Sequence, residues 1–247
     1  MPLKILLNGA KGRMGQAIQD IASECDAEIT AAIDIGDDPS SAAPACDVLI
    51  DFSIPQATPA LAALACNHHK PLVIGTTGHS TDEQATIRKA AKTIPIVWSG
   101  NYSTGVNLLF YLAAKAARRL DSSYHPEIIE LHHRFKKDAP SGTARTLIDT
   151  ISEARGLCPD HERHGRAGLI GERPTDEIGI HAIRGGDIVG EHTVLFAGPG
   201  ERVELTHRAT DRTIFARGAL RAAHWVAQSQ PPSIHSMQDV LGLKGAV

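Results

Sequence analysis

A short apolar run, Leu3-Lys4-Ile5-Leu6-Leu7-Asn8, breaks into Gly9-Ala10-Lys11-Gly12-Arg13-Met14-Gly15, and nothing else in the chain limits its fold as tightly. Glycines let the backbone turn sharply and bring main-chain N–H groups close to an anion. Apolar Met14, Ala17, Ile18 and Ile21 recur at helical spacing, so a helix is expected from Met14, its positive end on the loop. A second strand, Glu28–Ile33, ends at Asp34. A dinucleotide fold sets an acid at that point, about 20 residues on, against the ribose hydroxyls. The spacing is G-x-x-G-x-x-G rather than G-x-G-x-x-G, because Ala10 and Lys11 fill the middle. Strand, loop, helix and acid in register nevertheless favour a bound dinucleotide over a bare structural turn. An acid at 34 repels a 2′-phosphate and favours NADH, and Ile35 adds no positive charge. Lys11 and Arg13 could supply it, which keeps NADPH open.

The same rhythm continues. Strands are expected at Asp47–Phe52, Pro71–Ile74 and Ile94–Trp98, and helices at Pro55–Cys66 and from Thr81 to about Lys92. Strand–helix alternation with short loops implies a parallel sheet covered on both faces. After Asn101 the pattern changes to a long helix, Val106–Leu120, with Leu108, Leu109, Leu112 and Ala116 on one face. A strand at Pro126–Leu131 and a helix from Ser141 to Arg155, closed by Gly156, follow. Residues 157–176, rich in charge, glycine and proline, read as a long surface loop. Ile178–Arg184, Ile188–Phe196 and Arg202–His207 alternate between Gly-containing turns, so an antiparallel or mixed sheet is expected. Thr213–Ala227 reads as a last helix that could return to either half. The fold class is therefore α/β: an N-terminal Rossmann-type parallel sheet and a C-terminal α+β domain.

Composition removes other classes. The chain has 247 residues with 25 Lys+Arg and 28 Asp+Glu, a net charge of −3, which lacks the basic excess of a nucleic-acid binder. No apolar run approaches the roughly 18–20 residues of a membrane helix. Met1-Pro2-Leu3-Lys4 and the short run after it lack the hydrophobic region of a signal peptide. Cys25, Cys46, Cys66 and Cys158 stand apart and read as thiols of a reducing compartment, so a cytoplasmic location is expected.

The densest chemistry runs from Glu130 to Ala144: Glu-Leu-His-His-Arg-Phe-Lys-Lys-Asp-Ala-Pro-Ser-Gly-Thr-Ala. A strand delivers His132, His133, Lys136 and Lys137 into a loop, and Ser141-Gly142-Thr143 then opens a helix with Ser141 as a plausible N-cap. A helix N-terminus beside cationic side chains suits a carboxylate or phosphate. Histidine moves protons near neutrality, and a lysine can donate one to a carbanion. A solvated basic loop is the bland alternative. A zinc site using His132, His133 and His161 or His164 is disfavoured, because adjacent strand residues point to opposite faces. His192 and His207 read as structural strand histidines, and Arg184, Asp187 and Glu191 as a charged turn with a scaffold or interface role.

Five segments occur in order: Gly9–Gly15, Val73–Gly78, Asn101–Asn107, Glu130–Ala144 and Arg184–His192. With them the chain resembles, end to end, the dihydrodipicolinate (4-hydroxy-tetrahydrodipicolinate) reductase family of the diaminopimelate route to lysine. The resemblance implies an oxidoreductase reducing a cyclic dicarboxylate with NADH or NADPH. It implies His132 as acid/base residue, Lys136 as proton donor, and His133 with Ser141, Gly142 and Thr143 as the residues around the substrate carboxylates. The nucleotide would lie on Gly9, Ala10, Lys11, Gly12, Arg13, Met14, Asp34, Gly75, Thr76, Thr77, Ser99, Gly100, Asn101 and Tyr102. No resident metal, nucleic acid or membrane partner is implied. The resemblance further implies a nucleotide domain of residues 1–103 and 212–247, which takes the last helix, and a substrate and oligomerisation domain of 104–211. Hinges would lie near 101–107 and 208–213, and the assembly would be a homotetramer. Ile35 stands where family members that accept NADPH often carry Arg, which leaves NADH as the expected preference.

Overall fold

A computed structural model describes residues 1–243; the last positions of the expected nucleotide segment, 244–247, lie outside the described residues. In chain order the elements are β1 (Leu3–Asn8), α1 (Arg13–Ile21), β2 (Ala27–Ile33), β3 (Val48–Asp51), α2 (Thr58–Asn67), β4 (Leu72–Ile74), α3 (Thr81–Ala90) and β5 (Ile96–Trp98). Then come α4 (Thr104–Arg119), β6 (His125–His132), α5 (Gly142–Arg155), β7 (Glu162–His164), β8 (Ile178–Arg184), β9 (Gly190–Gly198) and β10 (Glu201–Ala209). The chain finishes with α6 (Thr213–Val226), β11 (Ile234–His235) and α7 (Met237–Val240). Two units separate: Met1–Thr104 with the segment from Arg212 onward, and Gly105–Asp211.

The first unit is a parallel sheet in the order β11-β5-β4-β3-β1-β2. Its strands are apolar at successive positions because both faces are covered. Ile5, Leu7, Ile50 and Val73 pack with Ile18 of α1 and Leu220 of α6, whereas Leu6, Leu49, Leu72 and Ile74 pack with Leu61 of α2 and Ile87 of α3. Each such side chain contributes about 1.5–3 kcal/mol when fully buried.

The second unit is a mixed sheet, β10-β9-β6-β8-β7, in which β6 runs parallel to β8 and antiparallel to β9. Leu109 and Phe110 of α4 and Leu147 and Ile148 of α5 form a core with Ile128, Val194 and Phe196 of the sheet. Ser141 caps α5, its Oγ accepting from the Ala144 N–H at 3.2 Å, and Gly156 ends the helix in the left-handed region. Such a cap is worth about 1 kcal/mol.

Several boundaries depart from the sequence expectation. The expected face of α4 is rotated: Leu108 and Leu112 are 42% and 39% exposed, and Val106, Leu109, Phe110, Ala113 and Ala117 are buried. Both stripes are apolar at helical spacing, so periodicity alone does not choose between them. α2 begins at Thr58 rather than Pro55, because residues 54–57 form a turn and the Thr58 hydroxyl is tied to Asp51 at 2.6 Å. The 157–176 segment is not all loop, since β7 pairs parallel with β8. Its Glu-Arg-His sequence lacks apolar alternation, as suits an edge strand, and Arg145 grips Glu162 through two hydrogen bonds of 2.8 and 2.7 Å. β11 and α7 were not expected beyond the two prolines. Ile234 pairs with Ile96 at the sheet edge, and Ser236 and Asp239 form a capping box.

Candidate active site

In the first unit, the loops after β1, β2, β4 and β5 all leave the carboxyl end of a parallel sheet, where such sheets bind ligands. The winding reverses at β1, which lies between β3 and β2. Gly9 has φ +82°, and a Cβ there would lie 2.3 Å from the Phe52 carbonyl oxygen. A Cβ on Gly15 would lie 2.2 Å from the Gly9 oxygen, so the loop closes onto α1 only with glycine at both places. α1 has no side-chain cap and no acidic residue in its first turn, which leaves its N–H groups for an anion.

Asp34 is bound into this loop. Its carboxylate accepts from the Ile35 N–H at 2.9 Å and the Lys11 N–H at 2.8 Å, and these donors hold its carboxyl below the usual carboxylate range. A cleft of about 860 Å³ runs alongside, lined by Gly9, Gly12, Asp34, Ile35, Ser53 and Gln56 among others. Ala10 is buried, Met14 is half-buried against the core, and the side chains of Lys11 and Arg13 are exposed.

The remaining expected cofactor positions divide. Gly75 and Thr77 follow β4, and Thr76 is buried, its Oγ1 accepting from the Ser53 N–H at 2.9 Å. Ser99 donates to the Asn101 carbonyl at 2.8 Å, shaping the Ser99-Gly100-Asn101 turn after β5. Tyr102 departs from expectation in one respect. Its side chain is 2% exposed, its hydroxyl donates to the Ile74 carbonyl at 2.7 Å, and its ring meets Phe52 edge-on at 5.5 Å. The Tyr102 side chain is core, and only its backbone is left for a ligand.

In the second unit, β6 ends at His132, the expected acid/base residue. Glu130 and His132 alternate onto the face packed by the helices, the same face as Ile128 of the core. Glu130 is 0% exposed. Its two oxygens accept from the Arg184 guanidinium at 2.7 and 2.8 Å, from His132 Nδ1 at 2.5 Å and from the Ser141 N–H at 3.1 Å. With Nδ1–H donated to Glu130, His132 presents Nε2 as its acceptor. Gly190 gives that nitrogen room, because a Cβ there would lie 3.0 Å from it. Burial pushes His132 below the ordinary imidazole range, further depressed by the charges of Lys136 and Arg184, although Glu130 pulls the other way. The neutral form of His132 is therefore favoured over the imidazolium.

His192 stands opposite Glu130 on β9, its ring 5.2 Å from that of His132, and its Nε2 is 3.1 Å from Ser141 Oγ. Burial pushes it down to about 3. Lys136 sits on the following turn, its N–H donating to the His133 carbonyl at 3.1 Å and its ammonium 2.9 Å from Asp138. His133 Nδ1 is buried without a partner among the described residues. Gly142 opens α5, and a Cβ there would meet nothing within 4 Å. Thr143, the next residue, is half-buried.

The structure thus gathers His132, Ser141 and the start of α5 around Glu130, with Lys136 one turn on. His192 and Arg184 are members of this cluster, beyond the strand and turn roles the sequence suggested. One signal was available: in Gly-Glu-His-Thr-Val, alternation puts His192 on the same face as buried Val194 and Phe196. Glu130, His132 and His192 also bring ligand-type atoms within 4.8 Å of one another. Arg184 already lays positive charge on both Glu130 oxygens, so the cluster reads as a hydrogen-bond network.

Family models for the N-terminus and the C-terminus of dihydrodipicolinate reductase match residues 3–102 and 105–241. The chain belongs to the dihydrodipicolinate reductase family. It is 51% identical over 243 residues to the 4-hydroxy-tetrahydrodipicolinate reductase of Akkermansia muciniphila, covering 98% of each chain. It is 46% identical to the enzyme of the same name from Alkalilimnicola ehrlichii, covering 98% of this chain and 100% of that one. The dipicolinate-bound dihydrodipicolinate reductase of Paenisporosarcina sp. TG-14 shares the fold, with TM-score 0.76, 24% identity and coverage of 97% and 99%. The first unit is accordingly the NAD(P)-binding, Rossmann-like part of a reductase. No described helix is long and apolar enough to cross a membrane.

Proposed function

We infer that the chain reduces 4-hydroxy-tetrahydrodipicolinate to tetrahydrodipicolinate with NAD(P)H, in the diaminopimelate route to lysine. The observation that carries this reading is one buried carboxylate, Glu130, tying an acid/base histidine to the N-terminus of an anion-binding helix, in a chain that two family models span almost completely.

The substrate is a cyclic imine dicarboxylate; loss of water, its 4-hydroxyl with a proton from the neighbouring ring carbon, leaves a conjugated C=C–C=N system. The open N-terminus of α5 at Gly142-Thr143, capped by Ser141, and the unsatisfied Nδ1 of His133 hold its carboxylates. The Paenisporosarcina protein, with dipicolinate bound, is consistent with a flat dicarboxylate in such a site. Lys136 protonates the electron-rich product of reduction, and neutral His132, with Nε2 as acceptor, manages the proton beside it.

The residues of the first unit fit a dinucleotide. Gly9–Met14 and the uncapped start of α1 cradle the pyrophosphate, and Asp34 takes the ribose hydroxyls. Gly75–Thr77 and Ser99–Asn101, with the backbone of Tyr102, take the nicotinamide end. When bound, the dihydronicotinamide supplies the hydride; the protein supplies orientation and charge. Asp34, ionised and followed by exposed Ile35, favours NADH over NADPH.

Assembly into a homotetramer through the second units belongs to the same reading. It is supported by Ile129, Leu131 and Ile183, which lie on the sheet face opposite buried Ile128. A cytoplasmic location accords with four free cysteines.

Lys136→Ala tests the reading. Turnover is expected to fall by about 10²–10⁴-fold, the usual worth of a positioned general acid, with nucleotide affinity unchanged. Near-normal turnover would remove Lys136 from its role.

A further inference from the structure

An arginine beside a dicarboxylate site is the first residue one would assign to the substrate. Arg184 is differently engaged. Its two terminal nitrogens donate to both oxygens of Glu130 and to the carbonyls of Ile183 and Asp138, at 2.7–2.8 Å throughout. The loop beyond it is sewn to the catalytic strand, the Gly185 N–H donating to the His132 carbonyl at 2.9 Å and the Arg134 N–H to Gly186 at 3.2 Å.

We propose that Arg184 and the buried Glu130 form a positioning pair that fixes the tautomer of His132 and locks the start of α5 in register with it. Glu130 is the point where three segments distant in sequence meet: β6 through His132, the α5 cap through the Ser141 N–H, and β8 through Arg184. A fully buried carboxylate stays ionised only with compensating charge and hydrogen bonds. Arg184 supplies the charge in the paired, planar geometry that suits a carboxylate. The ionised carboxylate in turn accepts a hydrogen bond from the Nδ1–H of His132 and leaves Nε2 as the free acceptor. The same carboxylate holds the Ser141 backbone, while His192 of β9 holds the Ser141 hydroxyl. The acid/base group and the substrate anion site are thereby set by one anchor. The pair touches neither substrate nor cofactor and acts through His132 and Ser141; it rests on the functional reading above and adds residues 130 and 184 to it.

The charged and titratable groups around His132 are Glu130 on its own strand, Lys136 on the next turn, Arg184 from β8 and His192 from β9. Only Glu130 among them favours the protonated imidazole. The test is heteronuclear NMR of the imidazole nitrogens in the full-length, ligand-free protein, for wild type, Glu130→Gln and Arg184→Lys, alongside steady-state turnover. Arg184→Lys keeps the charge without the paired geometry and guards against loss of the fold in Glu130→Gln.

In wild type His132 is expected as a single Nδ1–H tautomer. In Glu130→Gln it is expected to mix tautomers and to protonate at lower pH, with kcat reduced by about 100-fold, at the lower end of acid–base contributions. Arg184→Lys is expected to do the same more weakly, with kcat falling more than substrate KM rises. An unchanged tautomer and titration of His132 in both variants would overturn the proposal. So would a rise in substrate KM alone in Arg184→Lys, which would make Arg184 a substrate ligand. A released tautomer with undiminished turnover would instead overturn the catalytic reading of His132 on which the proposal rests.

Discussion

On the proposed reading, the two units reach function by opposite means. In the first, the proposed groups are main-chain N–H groups at a glycine loop and a helix start, with the carboxylate of Asp34 bound into the same loop. In the second, they are side chains that hold one another across strands, Glu130 with Arg184 and Ser141 with His192. A site made of backbone is specified by where side chains are absent. A site made of side chains is specified by a network in which each member needs the next. The first should therefore respond sharply to an added methyl group, and the second to an isosteric change of one polar atom.

Gly15→Ala gives the largest expected effect on the first unit. Its Cβ would fall 2.2 Å from the Gly9 oxygen, and relieving that clash must move the loop. Overpacking of this kind costs about 1–3 kcal/mol, so nucleotide affinity measured by calorimetry should fall by about 10–100-fold. Unaltered binding would show that the loop is not held by close approach. Asp34→Ala is smaller and selective: NADH affinity should fall by about tenfold, the scale of one charge-assisted hydrogen bond, with NADPH affected far less. Equal loss of both nucleotides would remove the ribose assignment.

The second unit should show its network through acid. His192 has a folded pKa of about 3 against an ordinary 6.5, so between those values the unfolded chain binds a proton that the folded chain does not. Stability is therefore complete above about pH 6.5 and declines as pH falls towards 3. Glu127, held down to about 2 against burial by Arg166, His181 and Arg173, adds a loss that begins only near pH 4.5. Melting curves of His192→Gln should be flatter than wild type between pH 6.5 and 4.5. Parallel slopes in the two proteins would contradict the neutral, buried assignment. Smallest is Tyr102→Phe, which deletes a buried hydroxyl: about 1 kcal/mol of stability should be lost, with NAD(P)H affinity unchanged. A marked loss of nucleotide affinity would return that side chain to the cofactor site.

The same contrast explains what was legible in the sequence. Gly9, Gly12, Gly15 and Asp34 announce themselves because glycine spacing and a strand-end acid are local signals, and the structure joins them through the Lys11 N–H. Ser141 and Gly156 were equally readable as the cap and stop of α5. The partners of Glu130 were not, because Arg184 and His192 arrive from strands whose pairing depends on topology rather than on spacing. The α4 face was misread for a related reason: two adjacent apolar stripes compete, and only the packed sheet selects Val106, Phe110 and Ala113. β7 escaped notice because ion pairs hold it, and those leave no alternation of hydrophobicity.

The central claim is tested most directly by following nicotinamide absorbance at about 340 nm with freshly prepared 4-hydroxy-tetrahydrodipicolinate and the full chain, since oxidation of the cofactor reports hydride transfer. Absorbance should fall only when protein, substrate and reduced nucleotide are all present, and faster with NADH than with NADPH. A flat trace with both nucleotides, from protein that still binds them, would contradict the account.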